Sequence, residues 1–418
     1  MASAADLKRD VCGAIDAMAG DLLEISHAIH AKPELAFQEF EAVKRLTAKI
    51  EAAGLPIARG AYGLETGYVS AFGDKGAEIA ILSEYDALPD IGHACGHNII
   101  AVTGLGAALA LGKLGAKLPG RVRYLGTPAE ESGGGKELMA QHGAFTGVDA
   151  AMMVHPAGAD LAAMPCICVA QVTAIYHGRS AHASVMPQRG INALDALVTA
   201  YQSIAQLRQH IRPTERIHGI ITKGGAAPNI VPDHAEGFFY VRAPKMAGLA
   251  ALKKRVEACF QAGALATGAH LELRWDAVDY LDLKANGPMT GAYRNNAEAL
   301  GRTFVDIDPR AGGAAGSTDM GNVSHRVPSI HPTIACSPPE VTIHHPDFAR
   351  WAASDRGDKA CIDGAKALAM TALDMMTDGD LLAAAKAEFA ESGDESSAAV
   401  DAAYNREGVR HTGGCACC

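Results

Sequence analysis

Four short stretches of this sequence carry residue types that can do metal and proton chemistry. His93-Ala94-Cys95-Gly96-His97 sets a thiol and an imidazole two residues apart in a glycine-containing turn, so both can reach one metal ion. Pro128-Ala129-Glu130-Glu131 sets two carboxylates side by side, and such a pair can divide its labour. One ligates metal while the other takes a proton from water. Met152-Met153-Val154-His155-Pro156 ends an apolar run on a histidine, and Ile343-His344-His345-Pro346 brings two more from far along the chain. Each has a plain structural reading when taken singly. A histidine at a strand end is most often hydrogen-bonded scaffolding, and adjacent glutamates most often form a solvated surface. The case for a metal site rests on the four occurring together.

The elements that must position them follow an α/β rhythm. Segments 78–82, 121–125 and 150–154 read as short apolar strands, with helices over 99–114 and 133–142 between them. Such alternation implies a mixed, mostly parallel sheet sandwiched by helices, and ligands bind at the carboxyl ends of its strands. The chemically active stretches fall just past those strands. Upstream, Val11, Ile15, Met18, Leu22 and Ile25 recur at helical spacing, so 6–53 reads as helix, closed by Gly54 and Pro56. Near residue 169 the pattern changes. Strands at 169–177, 217–222 and 235–242 alternate with helices at 192–209 and 248–264. This is a compact α+β unit, expected as an inserted domain over 169–283. The catalytic domain is expected over 1–168 plus 284–418, with a closing helix at 366–376. The segment after Gly379 is rich in Ala and Ser, and beyond about 390 it reads as a disordered end, including Cys415, Cys417 and Cys418.

Bulk composition narrows the function classes. The 418 residues carry 37 Lys and Arg against 47 Asp and Glu, a net charge of −10. That balance argues against nucleic acid and anionic membranes as partners. The N-terminal stretch has no long apolar run, so no signal peptide is expected. The run at 101–114 is broken by glycine and too short to cross a bilayer. Ten cysteines occur without a regular framework, as in a reduced, cytoplasmic chain. Cys166 and Cys168 have ligand-like spacing but sit in an apolar strand, so they read as core. His93 reads as structural packing behind the Cys95 turn.

These motifs together resemble the amidohydrolase branch of the aminoacylase and carboxypeptidase-G metallopeptidases, peptidase family M20. The resemblance rests on Asp86-Ala87-Leu88-Pro89, His93 to His97, Pro128 to Glu131, Val154-His155-Pro156 and His344-x-Pro346-x-Phe348. In the inserted segment it rests on Gly178-Arg179-Ser180-Ala181-His182-Ala183, Gly190 to Asp195, Pro228-Asn229-Ile230-Val231-Pro232 and Tyr240-Val241-Arg242. Gly316-Ser317-Thr318-Asp319 links it to the β-alanyl-lysine dipeptidase and aminobenzoyl-glutamate hydrolase-like subgroup. It covers about residues 15 to 375.

The resemblance implies two divalent metal ions held by Cys95, His97, Glu131, His155 and His344, with Cys95 bridging them as thiolate. Zinc is the first choice for such donors, with manganese or cobalt as the others. It implies Glu130 as general base, Asp86 orienting a ligand, and His182, Asn229, Arg242, Gly316 and Ser317 contacting the substrate carbonyl and carboxylate. The implied reaction is hydrolysis of an amide bond beside a free carboxylate, in a dipeptide or an N-acyl or N-aroyl amino acid. The implied assembly is a homodimer or higher homo-oligomer, with His182 reaching the neighbouring site. Two departures stand out: the neighbour His345 competes with His344, and Pro338-Pro339-Glu340-Val341 would reshape the pocket wall. Plain readings stay beside these, with Arg242 as a surface strand residue and Asp319 as a helix cap. The rival functions are a thiol hydrolase using Cys95 with His97, and a non-catalytic metal-binding scaffold.

Overall fold

The computed structural model describes residues 3–306 and 316–392. Of the apolar stripe read at the N-terminus, Val11, Ile15, Met18 and Leu22 are buried and Ile25 is half-buried. It spans two helices, Ala4–Ala17 and Ala19–Ala31, and a third, Phe40–Ala52, completes the stretch expected as one helix over 6–53. The first break is at Met18, whose N–H bonds back only three residues, to the Ile15 carbonyl. The second has a clear cause. Pro33 has no N–H and excludes the helical conformation from the residue before it. Lys32 accordingly adopts φ −129° and ψ 75°.

Two compact units divide the chain. The larger, residues 3–165, 283–306 and 318–392 among those described, is built on a six-stranded sheet. Its strands in chain order are β1 (Ala58–Arg59), β2 (Tyr68–Phe72), β3 (Glu78–Ser83), β4 (Arg121–Gly126), β5 (Ala150–Met152) and, after intervening strands, β11 (Ser329–Ile330). The spatial order is β1-β2-β4-β3-β5-β11. The pairs β4–β3, β3–β5 and β5–β11 are parallel, while β1–β2 and β2–β4 are antiparallel. A short parallel pair, β6 (His155–Ala157) with β12 (Thr333–Ala335), lies apart from it.

All six residues of β3 are buried, as expected of a parallel strand covered on both faces. Ile79 and Ile81 enter one apolar cluster, and Ala80 and Leu82 the other. Each fully buried aliphatic side chain of this size contributes roughly 1.5–3 kcal/mol. The helix His97–Gly112 is buried from His97 to Leu111. Its small residues permit this close approach: a Cβ at Gly104 would lie 2.3 Å from Ser83 Oγ and 2.8 Å from the Leu82 carbonyl. The helix Asp355–Thr377, longer than the closing helix expected at 366–376, packs against it. Because β3, β4 and β5 run parallel as neighbours, the residues after Ser83, Gly126 and Met152 emerge at one edge.

The second unit comprises Cys166–Asp282 with Gly316 and Ser317. Its antiparallel sheet contains β7 (Cys168–His177), β8 (Arg216–Lys223), β9 (His234–Ala243) and β10 (His270–Trp275), in the order β10-β7-β9-β8. Helices Ala193–Leu207 and Met246–Thr267 cover one face. The alternation along β9 shows this: Ala235, Gly237, Phe239, Val241 and Ala243 are buried, and the residues between them are half-exposed.

The C-terminal stretch remains helical over Gly379–Glu391, capped by Asp378, whose carboxylate accepts from the Asp380 and Leu381 N–H groups. The expected disordered end with its three cysteines lies outside the described residues. Among the described residues no helix is long and apolar enough to cross a membrane.

Candidate metal centre

Past β3 the chain turns through Glu84, Tyr85 and Asp86, all buried. The Asp86 carboxylate braces two later segments. Its Oδ2 accepts the Glu131 N–H at 2.9 Å, and its Oδ1 and carbonyl oxygen face His97 Nδ1 at 3.1 and 2.9 Å. A carbonyl only accepts, so His97 Nδ1 carries a proton and Nε2 points the other way, to 3.2 Å from Glu84 Oε1; against burial, Glu84 and Cys95 raise the ring well above the usual imidazole range.

Gly96 makes the Cys95–His97 turn possible. It adopts φ 79° at the start of the helix His97–Gly112, and a Cβ there would meet Pro156 Cγ at 2.6 Å. The turn delivers Cys95 Sγ to 3.4 Å from His155 Nε2. His155 repeats the His97 pattern: its Nδ1 donates to the Pro156 carbonyl at 2.7 Å, which frees Nε2. Burial pulls the His155 pKa down to about 4, so the ring is neutral and able to ligate.

The two glutamates follow β4. Ala129 takes a left-handed φ of 60°, which costs a non-glycine residue roughly 1–2 kcal/mol. After it, Glu130 Oε2 and Glu131 Oε1 both stand 3.8 Å from His97 Nε2. The second Glu131 oxygen is 3.5 Å from His344 Nε2. His344 also has a left-handed φ, 63°, and is tied through its N–H to the Ala94 carbonyl. Its neighbour His345 faces elsewhere: it caps the helix Pro346–Ala352 by accepting the Asp347 N–H at 3.2 Å.

Three groups of donor atoms result, each within 4.8 Å of one another: Cys95 with His97 and His155, Cys95 with Glu131 and His344, and Glu84 with His97 and Glu130. The first two share Cys95 and contain all five residues expected as ligands. His97 Nε2, Glu84 Oε1 and Glu131 Oε1 are buried without a hydrogen-bond partner among the described residues. Buried donor atoms that converge without hydrogen-bond partners are what a bound cation would satisfy, and thiolate, imidazole and carboxylate donors suit a divalent metal. The residues present therefore fit the implied metals.

The electrostatics separate the two glutamates. Burial, then the charges of Glu84, Glu131 and Asp319, raise Glu130 well above the usual carboxylate range. Burial would raise Glu131 too, but His344 and His97 outweigh it and hold that carboxyl below its ordinary value. Burial and Glu131 push the Cys95 thiol up, an effect that a bound divalent cation reverses.

One part of the site carried no expectation. Lys136 is fully buried, with Nζ on Glu84 Oε2 and, at 2.7 Å, on Asp319 Oδ1. The Lys136 N–H also donates to Asp319 Oδ2 at 2.9 Å. Asp319 does stand before the helix Met320–Ser324, but its side chain caps nothing there. Its carboxylate turns to the lysine instead, because a buried cation needs a partner more than a short turn needs a cap. Burial and Glu84 push Asp319 up to about 6 despite Lys136.

In the second unit the expected substrate residues form two pairs. Arg242 Nη1 donates to Ser317 Oγ at 3.0 Å, and Ser317 Oγ donates to the Ile167 carbonyl at 2.7 Å, beside an exposed Gly316. Arg242 also lies over the Tyr240 ring at 5.6 Å, so it is a held strand residue rather than a free surface cation. Asn229 and His182, both exposed, lie on adjoining segments, joined by the Ala183 N–H to the Asn229 carbonyl at 3.0 Å. Cys166 and Cys168 are buried, and Cys168 Sγ lies 3.4 Å from Asp282 Oδ1. His93 is buried 6.1 Å from the His30 ring and belongs to none of the donor groups.

Comparison with known proteins finds relatives that span most of the chain. The model of peptidase family M20/M25/M40 matches residues 80–374. The Xaa-Arg dipeptidase of Mus musculus is 42% identical over 92% of this chain and 92% of its own length. A p-aminobenzoyl-glutamate hydrolase chain of Escherichia coli K12 is 32% identical over 65% of this chain and 61% of its own. A Bacillus subtilis structure described as a dinuclear metal binding peptidase shares the fold. Its TM-score is 0.66 at 22% identity, covering 86% of this chain and 99% of that one.

Proposed function

This chain belongs to peptidase family M20/M25/M40 and is a metal-dependent hydrolase, and from that footing we propose the following reaction and roles. The enzyme cleaves the amide bond beside a free carboxylate in a dipeptide or an N-acyl or N-aroyl amino acid. The observation that carries this is the pair of donor groups sharing Cys95 beside the proton-avid Glu130. Cys95, His97, Glu131, His155 and His344 hold two divalent ions, with zinc the best match for the donor set. Bound there, such ions would supply Lewis-acid polarisation of the scissile carbonyl and a more acidic water.

The rest is done by the chain's own groups. Glu130 takes the proton of the attacking water, and its raised proton affinity suits it to return that proton to the leaving nitrogen. Asp86 keeps the His97 proton on Nδ1, so Nε2 stays a ligand. His182 and Asn229 polarise the substrate carbonyl. Arg242, with Ser317 and the backbone at Gly316, holds the substrate carboxylate. A Cys95 thiol hydrolase fits less well, because the buried thiol is raised rather than activated. The seven described cysteines are all free, which supports the cytoplasm as the location.

The substrates named for the two curated relatives share an amide next to a free α-carboxylate, and the nearly full-length similarity favours dipeptides ending in arginine for the first assay. Acids should be cleaved about ten- to a hundredfold faster, as kcat/KM, than the matching C-terminal amides. A charge-assisted hydrogen bond is worth roughly 1.5–3 kcal/mol. Equal values for acid and amide would reject the carboxylate-holding role.

We also propose a homodimer in which His182 serves the partner's site. The edge strand β8 leaves Ile220 and Ile221 exposed, at 63% and 43%, and bare apolar edges invite pairing with a second copy. Mixing His182→Ala with Glu130→Gln protein under subunit exchange should restore activity well above either parent. A mixture that stays inactive despite proven exchange contradicts a site shared between subunits.

A further inference from the structure

The loop that interrupts the N-terminal helices, residues 32–39, is tied to both catalytic turns. The Glu34 carbonyl accepts the Ala87 N–H at 2.8 Å, next to Asp86. The Glu39 carboxylate accepts the Ala129 N–H at 2.9 Å, next to Glu130. The same Oε1 accepts the Phe37 N–H at 2.9 Å, and Oε2 accepts the Thr66 hydroxyl at 2.7 Å. Glu39 is fully buried, so water cannot substitute for any of these bonds.

The two N–H groups on Oε1 have something in common. Phe37 at φ 62° and Ala129 at φ 60° are two of the five non-glycine residues with left-handed φ among the described residues. Phe37 then covers the far side of the glutamate turn, where a Cβ on Gly133 would meet its ring at 2.5 Å. The left-handed turn at Ala129 sets the direction in which the next side chain, Glu130, leaves the backbone, whereas the Glu131 N–H is held separately by Asp86 Oδ2 at 2.9 Å. An alanine does not adopt that conformation unaided.

We propose that Glu39 is a positioning residue for catalysis: its carboxylate locks Ala129 in the left-handed conformation and so aims Glu130 at the attacking water. The proposal rests on the reading of Glu130 as general base. It deepens that reading by naming the group that holds the base in place.

The test is a double-mutant cycle at Glu39 and Ala129, with Glu130→Gln measured in parallel. Glu39→Ala should lower kcat about a hundredfold, the scale of a misplacement near 1 Å. KM and the metal content per chain should stay near wild-type. Glu39→Gln keeps an oxygen for both N–H groups, so it should retain most of kcat. Ala129→Gly, which adopts positive φ without strain, should change the wild-type enzyme little but raise kcat of Glu39→Ala at least tenfold. If Glu39→Ala fails to fold, Glu39→Asp, one methylene too short to span both N–H groups, takes its place in the cycle. Unchanged kcat in the Glu39 variant, or a double variant no better than the single, overturns the proposal. Near-normal kcat in Glu130→Gln instead overturns the base assignment, so the two failures are distinct.

Discussion

Glu130→Gln is expected to retain both metal and substrate yet lose turnover by about 10²–10⁴-fold or more, the measured range for positioned general bases. The geometry separates this residue from its neighbour. Glu131 faces His344 at 3.5 Å and belongs to a donor group with Cys95, whereas Glu130 is raised by burial and by three surrounding carboxylates. A group with that proton affinity can accept a proton in one step and release it in the next. Glutamine preserves shape and removes only the proton acceptor. Steady-state kinetics on metal-loaded protein, with binding of a non-hydrolysable substrate analogue measured beside it, check the claim. Glu131→Gln should act differently, by weakening metal binding. A Glu130→Gln enzyme with near-normal kcat would remove the base from the mechanism.

Lys136→Met is expected to destabilise the fold by about 3–5 kcal/mol, the scale for removing one partner of a buried ion pair. Lys136, Glu84 and Asp319 are each 0% exposed, so the variant leaves two carboxylates without their shared ammonium and without water. The midpoint of urea unfolding should fall with an unchanged slope. Asp319→Asn should recover part of the loss when added to Lys136→Met. Of the two carboxylates Asp319 is the easier to neutralise: Glu84 is held low by Lys136 and His97 against its burial, while Asp319 sits at about 6. The two sites share a hydrogen bond, so their effects should not add. An unfolding midpoint equal to wild-type would show that the network is not holding the site's floor together.

That network also marks where sequence reading ends. Strands β3, β4 and β5 were legible because buried parallel strands are short apolar runs, and the residues after them were legible because the site must lie at their carboxyl ends. Strand β2, Tyr-Val-Ser-Ala-Phe beside glycines, has no such run, and β10 alternates charged residues on a half-exposed strand; both emerge only from pairing with partners distant in sequence. The helical stripe of 6–53 was visible, but its spacing alone did not weigh Pro33 against the periodicity. Lys136 stands in the first turn of a short mixed helix, Gly135–Gln141, with nothing local to mark it as buried, since its partner Asp319 lies 183 residues away. Asp319 in turn carried a capping signature that its tertiary partner overrode. The choice between His344 and His345 came from motif spacing, and the structure sends the first toward Glu131 and the second to a helix cap.

The central claim is a pair of divalent ions sharing one thiolate. Crystals of protein purified without chelator and loaded with zinc, measured at the zinc absorption edge, address it directly. The expected result is two anomalous peaks per chain, each about 2.3 Å from Cys95 Sγ. One should lie with His97 and His155, the other with Glu131 and His344. A single peak, or a fully loaded protein whose ions lie away from Cys95, would contradict the account.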